Sequence, residues 1–102
     1  MNCNMTEEEI IEFLLSTSKA NGELSPRAIV MTRTQSSRSI TRTVRFALVV
    51  TSNNTKLIDA LIQASLDFYE DLTFVGSEVN LQSDLSIDYL YFEANILANI
   101  QR

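Results

Sequence analysis

The chain has 102 residues and a formal net charge of −5, the size of one domain spanning residues 1–102. Hydrophobic residues make up 45% of it and charged residues 21%, which excludes disordered and fibrous classes. No apolar run approaches the roughly 20 residues of a membrane span, and "MNCNMTEEEI" lacks the basic start and apolar core of a secretory signal, so the expectation is a protein made and kept inside a cell with no membrane partner.

The first element reads as a helix over residues 7–20. Thr6-x-x-Glu9 is a capping box, and Glu7, Glu8 and Glu9 suit the positive end of the helix dipole. Ile10, Ile11, Leu14 and Leu15 form one apolar stripe, and Asn21-Gly22 ends the helix because both residues tolerate a left-handed backbone. Ser25-Pro26 marks a turn. "RAIVMTRT" (27–34) is then a strand, and "SITRTVRFALVVTS" (39–52) a longer one. In the second, alternation assigns Ile40, Arg42, Val44, Phe46, Leu48 and Val50 to the core face. The connecting "QSSR" has no Gly, Asn or Asp, so a tight two-residue turn is not expected. Both strands turn polar towards it, which suggests a hairpin tip projecting beyond the core.

"SNNT" (52–55) supplies caps for a second helix over 55–71, whose stripe runs Leu57, Ile58, Leu61, Ile62, Ser65, Tyr69 and Leu72, widened by Leu66 and Phe68. A third strand follows over 72–82, with Gly76 a candidate bulge. The segment 87–100 fits two periods. Leu90, Phe92, Ala94 and Ile96 alternate as in a strand, while Tyr89, Phe92, Ile96 and Ile100 fit a helix; the Tyr, Phe and Ile content favours a strand. The resulting order is α-β-β-α-β-β, an α+β fold with an antiparallel sheet of about four strands and two helices packed on one face.

Little in the chain points to catalysis. Cys3 is the single cysteine and there is no histidine, so no disulfide can form within the chain and Ser-His-Asp or Cys-His machinery is excluded. A zinc site would have only carboxylates to draw on. The two glycines lie 54 residues apart, which leaves no phosphate loop. Glu70-Asp71 and Asp84 with Asp88 read as helix-end and turn caps, and Tyr69, Tyr89 and Tyr91 as half-buried sheet residues. The expectation is a protein that is not an enzyme, with no catalytic residue, cofactor, metal or small-molecule substrate.

Charge is distributed unevenly. "RTQSSRSITRTVR" (33–45) holds Arg33, Arg38, Arg42 and Arg45, four of the six arginines, and no acid. Residues 24–58 carry +6, residues 1–23 carry −4 and residues 59–102 carry −7. One reading pairs these arginines with acids of the same monomer on a solvated sheet face. A second is nucleic-acid binding, opposed by the absence of aromatics within 33–45 and by an acidic remainder that repels phosphate. The third is protein assembly: a basic projection on an acidic body complements a copy of itself, and head-to-tail contacts close into rings when the rotation permits. Arginine suits such interfaces through its planar fork of donors. The third reading is favoured, with Arg33, Arg38, Arg42 and Arg45 as candidate interface residues and no specific nucleic-acid binding.

The layout resembles the tail terminator proteins of long-tailed bacteriophages, the lambda-type minor tail protein family. The resemblance runs from "MTEEEIIEFLL" through "PRAIVMTRT", "RTVRFALVV" and "KLIDALIQASLDF" to "LTFVGSEVNLQ" and "SIDYLYFEANILANI". It is one of element order, not of signature residues. The resemblance implies a hexameric ring at the head-proximal end of the tail tube, stopping tube polymerisation and joining the head connector. The partners would be further copies of the chain, the tail tube and the connector. The protein would belong to the virion neck after assembly in the host cytoplasm, and an acidic lumen would pass DNA without gripping it. The alternative is a small phage or host inhibitor of the anti-defence type, acting by binding one protein.

Overall fold

The structure, a computed structural model, describes residues 5–35, 38, 40–51, 53–68, 72–80 and 87–97. Helix α1 runs Glu7–Ala20. The Thr6 and Glu9 side chains exchange hydrogen bonds with each other's backbone N–H at 3.1 and 2.9 Å, completing the capping box. At the other end the Glu23 N–H donates to the Ser18 carbonyl at 3.0 Å, and Gly22 takes the left-handed φ of 101° that this closure requires. Ile10 and Leu14 are buried, as the stripe demands. So is Ser18, which the stripe did not include; its hydroxyl is satisfied within the helix by the Leu14 carbonyl at 2.6 Å.

The remaining elements are β1 (Arg27–Thr34), β2 (Thr41–Thr51), α2 (Thr55–Phe68), β3 (Leu72–Asn80) and β4 (Ile87–Leu97). The order α-β-β-α-β-β is the expected one, and all strand pairs are antiparallel. Residues 87–97 are strand: their burial alternates strictly, with the even positions inward, a two-residue period that a helix cannot produce. Strand β2 begins at Thr41, so Ile40 lies outside it and is 62% exposed rather than core. Alternation otherwise holds in β2, with Val44, Phe46, Leu48 and Val50 all buried. Before α2, Asn53 adopts a φ of 64° and the Asn54 Oδ1 accepts from the Leu57 N–H at 3.2 Å, capping the helix. The expected helical positions Ser65 and Leu66 lie within α2, while Tyr69 lies outside the described residues.

The strand order is β1-β2-β4-β3. The last strand is therefore central, hydrogen-bonded to β2 along its whole length and to β3 on its other side. Strands β2 and β3 run parallel with β4 between them and are joined through α2, a split β-α-β unit. Both helices lie on the even face. Ile10, Leu14, Leu57 and Leu61 pack there with Val44, Phe46, Leu48, Leu90, Phe92 and their neighbours in one cluster. The Phe74 and Phe92 rings meet edge to face with centroids 5.4 Å apart. Two bulges interrupt the edge strands, at Met31 in β1 and at Val75, beside Gly76, in β3.

Candidate protein interface

The four arginines singled out by charge do not form one projecting patch. Pairing between β1 and β2 extends to Thr34 opposite Thr43, so Arg33, Arg42 and Arg45 sit inside the sheet. Only Arg38, which is exposed, belongs to the connection beyond it. Arg42 lies on the even, helix-covered face. Arg33 would point to the opposite face if β1 alternated regularly from Ala28 and Val30. The extra residue Met31 shifts the parity and brings Arg33 opposite Val44, on the same side as Arg42.

Both arginines converge on Glu7 in the first turn of α1. The Arg33 Nε and Nη2 donate to the two Glu7 carboxylate oxygens at 2.7 and 2.8 Å, a bidentate pair. The Arg42 Nη2 lies 3.1 Å from Glu7 Oε2. The hydrogen bonds from Arg33 hold the Glu7 carboxyl below its ordinary pKa of 4.5; desolvation opposes this, and the charges of Arg33 and Arg42 reinforce it. Arg33 is pushed up by the same contact. The Arg42 Nε is buried and has no hydrogen-bond partner among the described residues. Beside this trio opens a cleft of about 640 Å³, with Met5, Ile11, Val30, Ile96 and Leu97 among its lining residues.

Arg45 points the other way. On the odd face its Nε lies 2.9 Å from Glu93 Oε2, its direct cross-strand neighbour on β4. No described element covers this face. On it Ile29 and Leu97 are 55% and 43% exposed, and the bulge residues Met31 and Val75 of the two edge strands are 45% and 41% exposed. Val49, Ile87, Tyr89 and Tyr91 are half-buried around Ala47. Arginines occupy the β1–β2 half (Arg27, Arg45) and glutamates the β4–β3 half (Glu93, Glu78). The Tyr91 hydroxyl donates to Glu78 Oε1 at 2.7 Å, which raises its pKa above 10.0. Arg27 has no ion-pair partner among the described residues.

Among the described residues two acids are buried, and both are structural. Glu23 is 6% exposed and accepts from the Thr51 N–H at 2.8 Å, the Thr51 hydroxyl at 3.0 Å and the Asn54 Nδ2 at 2.6 Å. It ties the end of α1 to the β2–α2 junction. The sequence offered one signal for it, a lone acid just after a helix-ending glycine, and that signal is shared with ordinary surface acids. Asp88, expected as a solvated cap of the turn before β4, is instead buried within that strand and accepts from the Asn53 N–H at 3.2 Å, in the connection between β2 and α2. Asp84, Glu70 and Asp71 lie outside the described residues. Among those described, no group of three or more His, Cys, Asp or Glu residues could hold a metal ion, and no helix is long and apolar enough to cross a membrane. Comparison with known proteins finds no matching family, no similar curated protein and no similar solved structure.

Proposed function

We propose that the chain is a structural assembly protein, acting by docking on protein surfaces and first of all on its own copies, with the phage tail terminator ring as its biological form. The observation that carries this reading is the sheet face that no described element covers, apolar at its centre and charged oppositely on its two halves. Such a face is a binding surface in search of a complement. Five charged groups elsewhere are occupied by structure: Glu23 and Asp88 accept backbone hydrogen bonds, and Glu7 holds Arg33 and Arg42. The element order that underlies the likeness to tail terminators is also the order of the fold.

The arginine hairpin as a free docking arm draws less support, because three of its four arginines are engaged in ion pairs within the monomer. The working surface is better placed on the sheet face, with the cleft beside Glu7 as a second surface. Native mass spectrometry across protein concentration and salt tests the proposal. Oligomers, up to a hexamer for the ring form, are expected, and a monomer under every condition overturns self-assembly.

A further inference from the structure

We propose that the uncovered sheet face binds the same face of a second copy about a two-fold axis parallel to the central strands. This rests on the assembly reading and names the partner and geometry of its surface.

The strand register defines three rows across the face: Arg27–Val49–Tyr89–Glu78, Ile29–Ala47–Tyr91–Gly76 and Thr32–Arg45–Glu93–Thr73. Two sheets stacked in aligned fashion, about 10 Å apart, have two simple two-fold arrangements. An axis in the interface perpendicular to the strands lays β1 on β1 and β3 on β3 with the strand direction reversed, so the arginine half stacks on the arginine half and the glutamate half on the glutamate half. An axis parallel to the strands, running between β2 and β4, lays β1 on the second copy's β3 and β2 on its β4.

In the parallel arrangement every row reads as its own complement. Arg27 faces Glu78, and Arg45 faces Glu93. Ile29 lies over Gly76 and Ala47 over Tyr91, so large side chains meet small ones. Val49 packs on Tyr89. Within one monomer Arg27 and Glu78 stand at the two edges of the sheet, about 14 Å apart across three strand spacings, and cannot pair. A second copy brings them together at both edges, while Arg45 and Glu93 join their counterparts in a four-charge network. An isologous contact of this kind closes at two copies, so a ring needs the cleft beside Glu7, or another surface, as a separate head-to-tail joint.

The size of the face is adequate. Four strands about 4.8 Å apart and nine residues at about 3.4 Å each span about 600 Å² per copy before side-chain relief. A standard stable interface takes about 800 Å² per partner, so the dimer belongs at the weaker end, with a Kd on the order of micromolar.

The test is a pair of complementary variants, Arg27→Glu and Glu78→Arg, studied by sedimentation velocity and native mass spectrometry up to about 0.5 mM. Circular dichroism confirms that each is folded. Each variant alone places two like-charge contacts in the dimer, and its Kd is expected to rise at least roughly tenfold. Mixed in equal amounts, they are expected to form a heterodimer at wild-type affinity or better, since both contacts become complementary again. Wild-type oligomers that neither variant weakens, or a mixture that fails to recover, overturn this geometry and leave the assembly reading standing. A wild-type monomer throughout overturns both.

Discussion

Glu7 shows how much one side chain organises here. It sits in the first turn of α1, receives a bidentate pair from Arg33 and lies within ion-pair distance of Arg42. Its folded pKa is depressed, so its contribution is complete above the ordinary value of 4.5 and is lost as the pH falls through the lowered one. Glu7→Gln should therefore cost about 1 kcal/mol at neutral pH. It should also flatten the acid limb of the stability curve, and urea unfolding at neutral and acid pH checks both. Equal acid sensitivity in the variant and the wild type would show that the trio contributes nothing. Glu23 is the buried counterpart at the other end of α1. Glu23→Ala strips the acceptor from the Thr51 N–H and hydroxyl and from one Asn54 donor. The expected loss is about 1–3 kcal/mol, with faster hydrogen exchange at the Thr51 amide. Neither role was legible in composition: Glu7 reads as one of three first-turn acids, and Glu23 as a loop acid. Their meaning comes from partners 26 and 28 residues away.

At the scale of the elements, local pattern was a reliable guide wherever one face meets the core. The capping box, the glycine closure and the stripes of α1 and α2 follow from side-chain chemistry within a few residues, which is why they could be read directly. Leu57 and Leu61 are fully buried between α2 and the sheet. Leu61→Ala should accordingly cost about 2–5 kcal/mol in denaturant unfolding, the range for a leucine deleted from a packed core. A cost near zero would place that stripe against solvent. The pattern misled where the backbone departs from strict alternation. The Met31 bulge moves Arg33 to the helix-covered side, and no glycine or proline announces it. Arg42 was assigned to the core face by alternation and is indeed there, but Glu7 meets it, so it is not a free projecting charge.

For the whole molecule the decisive feature is that the final strand is central. Strand β4 pairs with β2 along its whole length and with β3 on its other flank. A chain ending before Ile87 would leave β3 without a partner and Phe46 and Leu48 without Phe92 and Leu90 beside them. Such a truncation should show no cooperative unfolding transition by circular dichroism; a residual cooperative fold would mean that β1, β2 and the helices form a core alone. The last segment fitted two periods, Ile40 fell outside its strand and Ser18 escaped the stripe, whereas the element order, most of the inward faces and the uneven charge were determined by the sequence read by itself. They depend on periodicity, caps and residue counts, which act over a few residues. The tertiary structure alone decided which strand lies between which, where the bulge falls, that Glu7 gathers two arginines, and that the odd face carries arginines on one half and glutamates on the other. Those outcomes depend on pairing between segments dozens of residues apart, where many registers satisfy the same local pattern. Only burial of one common core, with its polar groups partnered, selects among them.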